Sequence, residues 1–257
     1  MKVRHVAGLA VLAVGLAPAL RAEDFRWQGK VAAGAAIEIK GVNGGIDAEP
    51  ASGSEVEVTA VKRARRSNPD EVEIKVIEHA GGVTICAVYP SREGQANECK
   101  AGSAGRMNTR DNDVSVEFEV RVPAGVRFVG RTVNGGIKAR QLPGDAEAYT
   151  VNGGIEIESA GVARGETVNG GIRATLGRAD WQGELTLKTV NGGIRLAVPA
   201  GLNTELRAQT VNGDITTDFP LTVKGKFGRR INGTIGGGGR SLDLETVNGS
   251  IELRHGH

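Results

Sequence analysis

The chain is poor in the side chains from which catalytic and metal sites are built. Among its 257 residues there are four histidines, two cysteines and two methionines, and aromatics make up 4%. His5, His255 and His257 lie at the extremes, so His79 is the only internal imidazole. Two thiols need further ligands to complete a zinc site, and one internal histidine supports no Ser/His/Asp set. Sugar-cleaving chemistry needs paired carboxylates on one face. The acids available for it (Glu156, Glu158, Glu184, Asp214 and Asp243) are scattered, with no recurring partner. The sequence nominates no catalytic residue, no metal and no cofactor, and the chain is read as a non-enzyme. Proline is also scarce, with eight residues, and the 39 glycines follow no G-X-Y period, which excludes collagen.

What is present is branched and small. There are 28 Val and 15 Ile against 15 Leu, and stiff, β-branched side chains pack well on a pleated surface. With so much glycine for tight turns, this composition predicts an all-β protein.

Residues 1–22 read as a secretory signal peptide: Lys2, Arg4 and His5, an apolar run from Val6 to Leu20, then small residues for cleavage. No later segment approaches the length of a membrane-spanning helix. The segment holds Lys2, Arg4 and Arg21 and no acid, so its removal takes the formal net charge from +2 to −1. A global attraction to nucleic acid is therefore not expected. Export implies an oxidising compartment, where Cys86 and Cys99 are expected to bridge. A loop of that length is worth roughly 3 kcal/mol in the chain-entropy picture.

The strongest signal is internal repetition. The unit Val-Asn-Gly-x-Ile places asparagine at Asn43, Asn134, Asn152, Asn169, Asn191, Asn212, Asn232 and Asn248, with Ile231 replacing the valine once. Thr precedes the unit in six copies, at Thr132, Thr150, Thr167, Thr189, Thr210 and Thr246. From Asn134 the spacings are 18, 17, 22, 21, 20 and 16, and a period near 20 marks a stacked architecture. Period-2 alternation on both sides of Asn-Gly gives two short strands and a reversal per unit. Asn and Gly tolerate positive φ and would supply that reversal.

Two architectures fit. Asn-Gly could close a two-residue hairpin, or it could form the corner of a parallel solenoid. The solenoid is favoured, because tandem units stacked about 4.8 Å apart would align their Ile into a buried column and their Asn into an amide ladder. Seven later units would build a rod about 34 Å long. The threonines would line the turn as a second structural ladder, or form an outward array.

The first unit stands 91 residues before the second. Four alternating runs fill the gap (Glu55–Lys62, Glu71–Glu78, Val83–Tyr89 and Val114–Val122), with antiparallel pairing through the Ala80-Gly81-Gly82 reversal. The segment Pro90–Asn112 is 23 residues long, and connections of that length are usually functional or disordered. If the runs form a meander, two loops emerge together and cluster Lys62, Arg63, Arg65, Arg66, Arg92, Lys100, Arg106 and Arg110. Such a cluster could hold an anionic group; a solvated charged rim is the alternative. The expected organisation is a signal at 1–22, an elaborated β region with a disulfide-tied loop at 23–125, and tandem repeats at 126–257, the last two forming one continuous β domain.

The Thr-Val-Asn-Gly-Gly-Ile units, Val-Thr-Ile-Cys-Ala-Val-Tyr-Pro at 83–90 and Val-Arg-Val-Pro-Ala-Gly at 120–125 resemble the bacterial putative-adhesin domain family of unknown function, related to the toast-rack β-solenoids of envelope proteins. The resemblance runs from about Trp27 to Leu253. It implies a single-stranded, right-handed β-helix-like solenoid in an exported or envelope protein, and it supplies no catalytic residues. The functional expectation is a non-catalytic binding, adhesion or scaffolding module, periplasmic, on the cell surface or secreted, with an envelope glycan or protein as partner. The alternatives are a carbohydrate-active enzyme on a β-helix and an envelope-stress regulatory module.

Overall fold

The computed structural model describes residues 25–91, 96–109, 111–223 and 228–256; the segment read as a signal peptide lies outside them, as do Arg92 and Arg110. Twenty-one strands among these residues form two sheets, of ten and eleven strands, most of them paired in parallel. The chain is a β-solenoid in which each coil gives one strand to each sheet, and all coils but one turn between them at Asn-Gly.

The N-terminal strands are β1 (Phe25–Gly29), β2 (Ala36–Lys40), β3 (Ile46–Pro50), β4 (Val56–Arg63), β5 (Glu73–His79), β6 (Gly82–Val88) and β7 (Ser115–Val122). Regular coils follow: β8 (Arg127–Arg131) with β9 (Ile137–Leu142), β10 (Ala146–Tyr149) with β11 (Ile155–Ser159), β12 (Ala163–Glu166) with β13 (Ile172–Leu176), and β14 (Glu184–Lys188) with β15 (Ile194–Val198). The C-terminal part holds β16 (Thr204–Gln209), β17 (Ile215–Thr217), β18 (Leu221–Val223), β19 (Arg230–Ile235), β20 (Ser241–Glu245) and β21 (Ile251–His255). In most strands alternation buries small or branched apolar residues on the inner face and leaves charged residues outside, as in the buried–exposed pattern of Ile155–Ser159. One apolar core runs between the sheets from Val31 to Leu253.

The order of coils differs from the order of the sequence at both ends. The ten-stranded sheet runs β1-β4-β7-β3-β9-β11-β13-β15-β21-β17, and the eleven-stranded sheet β18-β19-β16-β20-β14-β12-β10-β8-β2-β6-β5. The last coil, β20–β21, therefore lies between the Asn191 and Asn212 coils rather than beyond them. The expected in-order rod of seven later units is corrected in a second respect. Asn232 forms no turn: it lies in β19, antiparallel to β16 opposite Arg207. The residue two before it is Arg230 rather than Thr, so the unit lacks the hydroxyl that ties each later turn to its neighbour.

The N-terminal runs are not a meander either. β4 and β7 pair antiparallel in one sheet, β5 and β6 in the other. β6 and β7 together make a further coil beside β2–β3, in which residues 89–114 replace the Asn-Gly turn. Antiparallel strands then cover three of the four sheet ends: β1 and β4 in one sheet, β5 in the other, and β19 with β18 at the far end of the eleven-stranded sheet. Among the described residues the ten-stranded sheet ends there on parallel β17. Solenoids need such terminal caps, because open parallel edges invite further pairing.

Candidate functional site

The Asn-Gly corner is the most regular surface of the molecule. Asn134 Nδ2 donates to Asn43 Oδ1 at 2.8 Å, and the pattern continues through Asn152, Asn169, Asn191, Asn248 and Asn212 at 2.7–2.8 Å. Beneath it, the buried hydroxyls of Thr132, Thr150, Thr167, Thr189, Thr246 and Thr210 each donate to a glycine carbonyl of the adjacent coil at 2.7–3.0 Å. The threonines thus face inward, and the outward array is excluded. Between the two ladders Val133, Val151, Val168, Val190 and Val211 form an exposed column.

On the outer face of the ten-stranded sheet Asp47, Lys138, Glu156, Arg173, Arg195 and Glu252 stand in cross-strand register. Arg195 closes a bidentate pair with Glu252 at 3.0 and 3.1 Å. Beside this row an open groove of about 680 Å³ is floored by Gly136, Gly154, Gly171, Gly193 and Ser250.

Within the insert 89–114, residues 96–109 fold back as a strap over the outer face of the eleven-stranded sheet. A disulfide joins Cys86 in β6 to Cys99 in the strap, with Cα atoms 5.7 Å apart, and packs among Val88, Ile77 and Met107. The Lys40 ammonium donates to the carbonyls of Lys100, Gly102 and Ala104 at 2.6–2.9 Å. Burial lowers its pKa; Glu38 pulls the other way and Arg131 adds to the lowering. Buried Glu38 accepts from Gly102 N at 2.8 Å, Thr84 Oγ1 at 2.9 Å and Arg131 Nε at 2.9 Å. Since the Thr84 hydroxyl is committed to Glu38, His79 Nε2 donates to Thr84 Oγ1, while its Nδ1 accepts from Gly81 N. This network is satisfied throughout and holds the strap down.

The candidate anion-binding residues divide. Arg63, Arg65 and Arg66 surround an open depression of about 660 Å³ with Ala64, Asp113 and Ser115. Asp113 is committed there: the amides of Ser67 and Arg66 donate to it at 2.8 and 3.2 Å. Hydrogen bonds from Ser67, then from the Arg66 and Arg65 backbone, hold its carboxyl down to about 2. The loop after β4 and the end of the strap are thereby joined. Lys62 turns inward, to Val72 O at 3.2 Å and Asp70 at 3.9 Å, and does not join the depression. Lys100 and Arg106 ride on the strap, Lys100 paired with Glu98. Sequence reasoning missed Asp113 and the Glu38–Lys40–Thr84 network. Glu38 and Lys40, charged residues at alternate positions of an otherwise apolar strand, were the available signal for the latter.

The architecture defines a β-solenoid of Asn-Gly-cornered coils. Within it, residues 135–254 match the family described as Toastrack DUF4097. No curated protein matches the chain. Among solved structures it is similar to a putative cell adhesion protein from Clostridium sporogenes ATCC 15579, at 10% identity over 91% of this chain and 100% of that one, with a TM-score of 0.47. It is also similar to a putative adhesin from Bacteroides fragilis NCTC 9343, at 11% identity over 94% and 100%, with a TM-score of 0.31. Among the described residues no helix is long and apolar enough to cross a membrane, and no group of three or more His, Cys, Asp or Glu could hold a metal ion.

Proposed function

We propose that the chain is an exported protein of the bacterial envelope whose solenoid is a rigid, non-catalytic scaffold for binding. Its recognition site is the arginine depression at the N-terminal end of the stack, and the ligand is an anionic envelope glycan. The signal-like character of residues 1–22 and the Cys86–Cys99 bridge support export, since such bridges persist in oxidising compartments. The observation that carries the binding reading is the charge balance of the depression. Three arginines line it against a single acid, Asp113, which accepts the backbone amides of Ser67 and Arg66 and lies 3.8 Å from the Arg66 side chain, so the lining keeps an excess of positive charge. Guanidinium forks suit carboxylate and phosphate groups.

Binding is tested on purified anionic polysaccharide of the envelope, with anionic vesicles and an acidic polypeptide as separate arms. The expected result is salt-sensitive retention on the glycan. The variant Arg63→Glu/Arg65→Glu/Arg66→Glu abolishes it, and Lys75→Glu, on the far sheet, preserves it. Equal retention of the triple variant overturns the site, and capture by vesicles or polypeptide alone overturns the ligand class. Cytosolic accumulation of the full chain in fractionated cells overturns export.

A further inference from the structure

The position of the last coil has a consequence for assembly. β20 pairs in parallel with β14 on one side and β16 on the other, and β21 does the same between β15 and β17. Leu242, Leu244, Ile251 and Leu253 from this coil are buried in the core. Residues 199–203, between β15 and β16, must therefore step past one vacant position in the stack, which chain made more than thirty residues later fills. Until then, both walls of the slot present unpaired strand edges, and such edges accept any strand of matching pattern. The matching pattern is the Thr-Val-Asn-Gly-x-Ile unit of this chain, which a second copy also carries. The covalent entry to the coil is Gly236–Gly239, a four-glycine run with φ of +58, +69 and +109 at Gly236, Gly238 and Gly239. Residues of this kind re-aim a segment at little steric cost.

We propose that the slot between the Asn191 and Asn212 coils is a receptor for a repeat coil, and that two copies of this chain associate by exchanging residues 241–255 through the Gly236–Gly239 hinge. Every contact of residues 241–255 in the closed monomer is reproduced in the exchanged pair, so hinge geometry and protein concentration set the balance between them. A shortened hinge that cannot fold back favours exchange.

The test uses the full chain and the registered, outward-facing pair Arg195 and Glu252. Chains carrying Arg195→Cys are mixed with chains carrying Glu252→Cys, unfolded without reductant so that the native bridge persists, refolded together at high concentration and oxidised. Exchange places the two new thiols side by side in a covalent heterodimer. The control mixes Arg173→Cys with Arg195→Cys chains, which are equally registered but lie on consecutive coils. The expected result is a several-fold excess of heterodimer over the control, rising with concentration and rising again when Gly237 and Gly238 are deleted. Heterodimer no greater than the control at both hinge lengths overturns the proposal. The double variant Arg195→Cys/Glu252→Cys, in dilute solution, is expected to close within one chain; its failure to close removes the last coil from the slot and overturns the proposal as well.

Discussion

At the scale of single residues, the two glycines of each corner have different reasons to be there. A side chain on the first would collide with the stack. A Cβ on Gly135, Gly153, Gly170, Gly213 or Gly249 would sit 2.0–2.1 Å from a glycine carbonyl oxygen of the neighbouring coil. Most of these glycines lie outside the left-handed φ region, so close backbone approach, more than turn handedness, dictates the residue. Gly44, with φ of +116, needs both. The second glycine meets only ordinary or slightly tight neighbours, as at Gly171, where the nearest atom is 3.4 Å away. That difference explains why Asp214 and Ser250 occupy the second position. Gly170→Ala is therefore expected to cost about 3 kcal/mol or more in denaturant unfolding, by forcing two coils apart. Gly171→Ala should change stability by less than about 1 kcal/mol. Equal costs would sink the steric account. The repeat itself was legible in the sequence, but the role of its glycines was not, because their φ and their distance to the next coil are properties of the stack. Arg230 was a readable exception: it occupies the threonine position, and the Asn232 unit that follows departs from the ladder.

At the scale of elements, the N-terminal elaboration is a standard coil with its corner replaced by a long insert. The 23-residue connection announced itself by length, and the two cysteines fixed one of its contacts. The partner sheet of each neighbouring strand was hidden, because alternation shows which face is buried and not which sheet receives it. Asp113 ties this insert to the loop after β4 through the backbone of Ser67 and Arg66. Its folded pKa of about 2 lies below the ordinary aspartate value. A depressed carboxylate contributes fully above the unfolded value, near 3.8, and the contribution is lost as pH falls toward 2. Protection of the Arg66 and Ser67 amides from hydrogen exchange should therefore persist at pH 5 and decline between about pH 4 and 2. In Asp113→Asn it should already be low at pH 5. Undiminished protection in that variant would remove Asp113 from the junction.

At the scale of the whole molecule, the departure from sequence order separates this chain from a simple array. In a linear solenoid each repeat touches its sequence neighbours, and folding can spread from any point. Here the coils from Asn134 to Asn191 obey that rule, with partners 17 to 22 residues apart. The coil holding Asn248 pairs with one 57 residues earlier. Closing that longer loop before its contacts form is entropically costly, so the local coils should form the folding nucleus and the last coil should insert after the transition state. Sequence periodicity could not reveal this, since every unit presents the same edge pattern and pairing order is decided by the connections. The expectation can be checked by folding kinetics. Leu244→Ala, at a fully buried position, should lose about 3 kcal/mol, almost all of it as faster unfolding with an unchanged refolding rate. Ile172→Val, within the local coils, should lose about 1 kcal/mol and place a substantial share of it in slower refolding. If Leu244→Ala slows refolding as strongly as it destabilises, the last coil is part of the nucleus, and the stack is assembled around it rather than closed by it.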